Sequence, residues 1–143
     1  MNYPKLLVTL QFGVIGLMIL FSKGIIYSFT AILIFTAGLL LGLWAISHNR
    51  RENFHIRPEL KEGCRLITTG AYRWIRHPMY SSVLLMMLGV VVSTPSPIEF
   101  LLFFTLLIIL VLKAKREEQL WCLHDAAYMA YREKTKLFIP YIL

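Results

Sequence analysis

From Ile25 to Ile46 the chain runs 22 residues without a charge. A helix of that length reaches about 33 Å at ~1.5 Å per residue, enough to cross the ~30 Å hydrocarbon core of a bilayer. Leu6 to Phe21 approaches the same length once Pro4 and Lys5 are placed at the interface, and only Ser22-Lys23-Gly24 separates the two runs. That gap reads as a tight turn. The first run lacks a small-residue cleavage pattern and is followed at once by another apolar stretch, so it reads as a retained span. Pro78 to Val92 and Ile98 to Leu112 are apolar again, parted by Thr94-Pro95-Ser96-Pro97. With 57% apolar residues and a mean hydropathy of +0.63, the expected fold is all-α: an integral membrane bundle of about four transmembrane helices. The spans are expected near 5–22, 25–46, 78–94 and 97–113, with a polar loop at 47–77 and a helical tail at 114–143, all in one domain over 1–143.

The charges fix an orientation. Between Ser47 and His77 stand Arg50, Arg51, Arg57, Lys61, Arg65, Arg73 and Arg76 against three acids, Glu52, Glu59 and Glu62. Lys113 to Lys136 adds six basic residues and four acids. An even number of spans places both segments on one face, and the excess of Arg and Lys assigns that face, with both termini, to the cytoplasm. This explains the net charge of +7 without nucleic acid, which would need a solvated basic surface. Cys64 and Cys122 have neither CxxC nor His spacing, so they read as free thiols and no metal site is indicated. Gly38 and Gly42 form a GxxxG pair that lets a neighbouring helix approach closely. Ser96-Pro97-Ile98-Glu99 has the form of a capping box, which makes Glu99 a cap rather than a buried catalytic carboxylate.

A protein built only to span has no need for a long loop and a long tail on the same side, so chemistry is sought there. Thr68-Thr69-Gly70 reads as a turn, and Tyr72-Arg73-Trp74-Ile75-Arg76-His77-Pro78-Met79-Tyr80 leads into the third span. Pro78 fits the first helical turn, whose unpaired N–H groups, beside Arg73, Arg76 and His77, favour an anion. The plainer alternative is that these residues anchor the span at headgroup level. In the tail, the fourth helix is expected to continue past Tyr131. It would stack Glu117, Trp121, His124, Tyr128 and Tyr131 on one stripe, which alternatively is a core face with solvated charges.

Taken in order, Leu66 to Tyr80, Glu117-Glu118-Gln119-Leu120, Tyr128-Met129-Ala130-Tyr131 and Ile139-Pro140 resemble the isoprenylcysteine carboxyl methyltransferases and their phospholipid methyltransferase relatives. The resemblance runs from about Trp44 to the C-terminus. It departs at Ala71, where that family usually has proline, and at Ser81 or Ser82, where glycine is frequent. The resemblance implies an S-adenosyl-L-methionine site at the cytoplasmic membrane surface, and no GxGxxG loop argues otherwise. Carried over by position, Tyr72, His77, Pro78, Tyr80, Glu117 and Glu118 would bind the cofactor. The implied acceptor is lipid-linked, a carboxylate of an isoprenylcysteine-like group.

Methyl transfer to a carboxylate needs orientation and desolvation more than a base, and Arg73, Arg76 and Arg132 are the candidates to hold the acceptor, Arg76 and Arg132 being favoured. Should the acceptor be a lipid amine, Glu118 or His124 would have to take a proton. Two other readings stand beside this one. A nicotinamide-dependent sterol reductase carries a similar Arg-His segment, but with asparagine where Met79 stands and Asp-Glu where Glu117-Glu118 stand. A non-enzymatic four-helix protein would use its arginines only as anchors.

Overall fold

In the computed structural model, which describes residues 3–49 and 65–141, the apolar runs become helices. They are α1 (Tyr3–Phe21), α2 (Phe29–His48), α3 (Pro78–Ser93) and α4 (Pro97–His124), followed by the short α5 (Ala127–Lys134). Single 3-10 turns occupy Ile25–Tyr27 and Gly70–Arg73. Helices α1, α2 and α4 are long and apolar enough to cross a membrane. Helix α3 has 16 residues and reaches about 24 Å, short of the ~30 Å core. Large apolar side chains such as Phe12, Leu20, Leu33, Leu40 and Leu101 are exposed, as lipid-facing surface requires. The protein is an all-α membrane bundle.

Three local features differ from the expected boundaries. Helix α2 opens at Phe29 rather than at 25, because Gly24 adopts φ +95° and Ser28 caps the helix by accepting from the Ala31 N–H at 3.3 Å. Helix α4 does not run past Tyr131. It stops at His124, where Asp125 turns extended and its carboxylate accepts from the Ala127 N–H at 2.9 Å, at the start of α5. The capping box is half made: Ser96 Oγ accepts from the Glu99 N–H at 3.2 Å. The Glu99 carboxylate, 0% exposed, reaches no hydrogen-bond partner among the described residues. Of the two cysteines, Cys122 is a free thiol and Cys64 lies outside the described residues.

The tightest packing is between α2 and α3. A Cβ placed on Gly38 would lie 2.7 Å from the Met86 backbone nitrogen, and one on Gly42 would lie 2.5 Å from Ser82 Oγ. Gly89 answers from α3, where a Cβ would meet the Ala31 carbonyl at 2.9 Å. Ser82 Oγ then donates to the Gly38 carbonyl at 2.8 Å. The GxxxG pair is a packing device, as its spacing predicts. Leu7, Val14 and Met18 of α1 join Leu106, Ile109 and Leu110 of α4 and Val90 and Val91 of α3 in the apolar core.

The two ends of the bundle are distinct. At one, Lys23 N donates to Thr94 Oγ1 at 2.8 Å, and Ser22 lies beside Ser93. At the other, the residues before α3 pair with the tail: Arg76 N donates to the Lys136 carbonyl at 2.7 Å and His77 N to that of Leu137 at 3.1 Å. Loop and tail therefore meet at one end. Gly38→Ala should destabilise the protein by about 1–3 kcal/mol through overpacking. Gly13→Ala, where nothing lies within 4 Å of the new methyl, should be neutral or stabilising by up to about 1 kcal/mol. Thermal unfolding of the two variants in detergent measures the contrast.

Candidate active site

Gly70 opens the site. It sits at φ +60° with the His48 ring where a Cβ would stand, 2.4 Å away, so only glycine admits the turn against the end of α2. The following 3-10 turn carries Tyr72, whose hydroxyl accepts from Asn49 Nδ2 at 3.1 Å and whose carbonyl accepts from the Tyr131 hydroxyl at 2.6 Å. Loop, α2 and α5 are joined through that one residue.

Next along the chain, Arg76 donates Nε to Glu118 Oε1 at 2.5 Å and Nη1 to the carbonyls of Arg132, at 3.1 Å, and Thr135. His77, buried at the start of α3, places Nδ1 3.4 Å from Glu117 Oε2 and Nε2 3.5 Å from Glu118 Oε1. Nε2 makes no hydrogen bond among the described residues. Tyr80 stacks on the His77 ring at 5.5 Å, nearly parallel, and donates its hydroxyl to Glu117 Oε1. Arg132, half exposed, holds Nε 3.5 Å from Glu118 Oε2. Pro78 is buried as the first helical residue. The structure thus brings Arg76, His77, Tyr80, Glu117, Glu118 and Arg132 into one cluster, with Tyr72 at its edge.

Tail carbonyls take the N–H groups of Arg76 and His77 just before α3, and within its first turn Tyr80 N bonds back to the His77 carbonyl at 3.0 Å, which reduces the bare donors there. Positive character comes from side chains instead. Arg73 is turned away, its guanidinium 5.5 Å over the Trp74 ring. His124 lies edge-on to Trp121, and Trp121 stacks on Tyr128 across the α4–α5 break. Neighbours on the expected aromatic stripe still meet across the break, since Tyr128 lies 5.9 Å from Trp121 and 5.8 Å from Tyr131. Asn49, Thr135 and the buried pair Gln11 and Lys113 were not expected here. For Gln11 the signal was an amide inside an apolar run; the Thr135 carbonyl leaves no trace in the sequence.

Burial opposes charge on His77, but the Glu117 and Glu118 carboxylates beside its ring outweigh it and raise its pKa above 6.5. Burial likewise disfavours the Glu118 carboxylate, yet His77 and Arg76 win and hold it below 4.5. Burial, reinforced by Glu117, pushes the Tyr72 phenol up to about 12, and burial raises Tyr128 and Tyr131 too. These tyrosines are therefore neutral, and the negative charge of the site resides on the two glutamates.

Because the His77 value is raised on folding, its contribution is complete below about pH 6.5 and is lost as pH climbs through the folded value. The lowered Glu118 value contributes fully above about 4.5 and is lost as pH falls through the folded value. Both act together between those limits. The Tm difference between the wild-type protein and His77→Phe should be largest there and shrink on the alkaline side; a difference constant from pH 6 to 9 would refute the assignment.

The family model for phospholipid methyltransferases matches residues 25–124, which includes α2, α3, α4, Arg76, His77 and both glutamates. No curated protein matches the chain. With residues 65–77 and the end of α4 joined at one end of a membrane bundle, the chain belongs to the phospholipid methyltransferase family of integral membrane methyltransferases.

Proposed function

We propose that the protein transfers a methyl group from S-adenosyl-L-methionine to a lipid-linked acceptor at the membrane face that carries the loop and tail. The excess of Arg and Lys in these segments supports reading that face, with both termini, as the cytoplasmic one. The observation that carries the proposal is the direct contact of Arg76 and His77 with Glu117 and Glu118. A zwitterionic amino acid needs carboxylates for its ammonium and cations for its carboxylate, and the cluster contains both. The buried His77 Nε2, short of a hydrogen bond, is a donor or acceptor held in readiness.

On this reading Glu117 and Glu118 hold the ammonium and ribose hydroxyls, while Tyr72, His77, Pro78 and Tyr80 form the wall of the cofactor pocket. When bound, the cofactor supplies a methyl carbon already activated by a positively charged sulfur. The protein's part is to orient the acceptor and keep water away. Arg76 is committed to Glu118 and two tail carbonyls, so it fixes the site. Arg132, half exposed with one 3.5 Å contact, can turn to the acceptor carboxylate and bind it bidentately.

An apolar groove of about 480 Å³ runs beside this cluster, lined by Trp44, Trp74, Leu84, Phe103, Phe138 and Pro140 among others. Its wall includes Ile75 and Ser81, next in sequence to Arg76 and Tyr80, so an apolar chain lying in it would bring its head to the cluster. A prenylcysteine carboxylate suits a site whose own carboxylates are already engaged. The family's description favours a second acceptor, a phospholipid amine, for which Glu118 would have to release Arg76 to take a proton.

Calorimetry in lipid nanodiscs should detect S-adenosylhomocysteine binding, and Glu117→Gln should weaken it about tenfold or more. Labelled cofactor should then label a prenylcysteine analogue in base-labile form; label in phosphatidylethanolamine instead would select the amine. Absence of both binding and label would overturn the proposal.

A further inference from the structure

Two polar side chains lie where a membrane bundle has least use for them. Lys113 of α4 is 2% exposed and Gln11 of α1 is 7% exposed. Lys113 Nζ donates to Gln11 Oε1 at 2.6 Å, across a sequence separation of 102 residues. An ammonium buried inside a bundle is costly, and where one is kept it marks function more than packing. A leucine pair would hold α1 to α4 more cheaply.

The ammonium also faces the cluster. Lys113 Nζ lies 5.1 Å from the centre of the Tyr80 ring, inside the ~6 Å reach of a cation–π contact. Tyr80 in turn stacks on His77 and donates to Glu117. Glu117 follows Lys113 by four residues in α4, on the same helical face one turn on. From Gln11 to Glu117 the contacts form a continuous chain: amide, ammonium, aromatic ring, hydroxyl, carboxylate.

We propose that Lys113, held in place by Gln11, is a positioning residue for the cofactor site. Its charge seats the Tyr80 ring, and through the Tyr80 hydroxyl it orients Glu117 toward the ligand. The same charge offsets the repulsion between Glu117 and its neighbour Glu118. Helix α1, which precedes the region matched by the family model, is thereby part of the binding machinery rather than an anchor alone. The inference rests on Glu117 being a cofactor ligand.

The test is S-adenosylhomocysteine calorimetry on the full chain in nanodiscs, with thermal unfolding in parallel. Lys113→Met should weaken binding about tenfold or more, while Lys113→Arg, which keeps the cation, should stay within about threefold of wild type. Gln11→Leu should cost about three- to tenfold, and the double variant should bind no worse than Lys113→Met alone, because Gln11 acts through Lys113. Equal losses in Lys113→Met and Lys113→Arg would make the pair a structural peg and overturn the proposal. If Lys113→Met does not fold, Gln11→Leu decides, and full affinity there overturns it. Wild-type protein that binds no S-adenosylhomocysteine would fail the cofactor reading itself. Wild-type binding with unaltered Gln11→Leu and Lys113→Met would fail only this inference.

Discussion

A guanidinium taken out of water must find acceptors on every side, and Arg76 finds them 42 to 59 residues away, on Glu118 and on the carbonyls of Arg132 and Thr135. Those three acceptors belong to the end of α4, to α5 and to the segment after α5, so one side chain gathers the whole tail around the start of α3. The backbone repeats the join: Ile75 bridges to Lys136, and the next two N–H groups bond to Lys136 and Leu137. Ser81 Oγ extends it by donating to the Phe138 carbonyl at 2.7 Å. The tail is thereby laid over the bundle with Phe138, Ile139 and Pro140 forming part of the apolar groove. Polar cluster and groove are two products of one junction.

Helix lengths place that junction. Helix α4 is 28 residues and spans about 42 Å, more than the ~30 Å core, whereas α3 reaches only about 24 Å. The excess of α4 therefore projects at the end where α3 begins, and Glu117 and Glu118 sit on that projecting part opposite His77. Helix α3 can be short because it is packed on other helices rather than on lipid alone: Gly38 and Gly42 bring α2 against it, while Val90 and Val91 join the core shared with α1 and α4. Ser82, one of the two positions, with Ser81, where glycine is frequent in the family the sequence resembles, keeps the close approach by bonding to the Gly38 carbonyl.

Much of this was readable in the chain because membrane spans announce themselves through charge-free length, and proline marks where α3 and α4 begin. The starts of α3 at Pro78 and α4 at Pro97 fall where their residues predict. The start of α2 did not, since Ile25-Ile26-Tyr27 is as apolar in a 3-10 turn as in a helix and only the backbone at Gly24 and the Ser28 cap separates the two. The break at Asp125 was hidden for a related reason: a polar residue on a projecting helix looks solvated until its carboxylate turns back on the chain. Within the site, Arg76, His77, Tyr80 and the glutamates were visible as residue types in order. Their partners were less so, because the Thr135 and Lys136 carbonyls and the Gln11–Lys113 bond depend on contacts between distant segments that no local spacing encodes.

The pairing within the cluster bears on what it is suited to receive. Glu118 is held by Arg76 with His77 and Arg132 nearby, and Glu117 by Tyr80 and His77, so each carboxylate has a partner of its own. Adding a lone anion or a lone cation would break one of these pairs and leave a buried charge uncompensated, which is costly at low dielectric. A zwitterion brings one charge of each sign. It can exchange partners with a carboxylate and a cation of the cluster at once and leave every charge paired, so the desolvation already borne by the folded protein is not borne again. The neutral, high-pKa tyrosines around the cluster, Tyr72, Tyr128 and Tyr131, fit the same logic, since they surround it without adding charge to be compensated. On the proposed function, a cluster assembled this way suits the amino-acid head of the cofactor, whose ammonium and carboxylate can be paired together, and the apolar groove beside it would admit an acceptor that arrives from the bilayer.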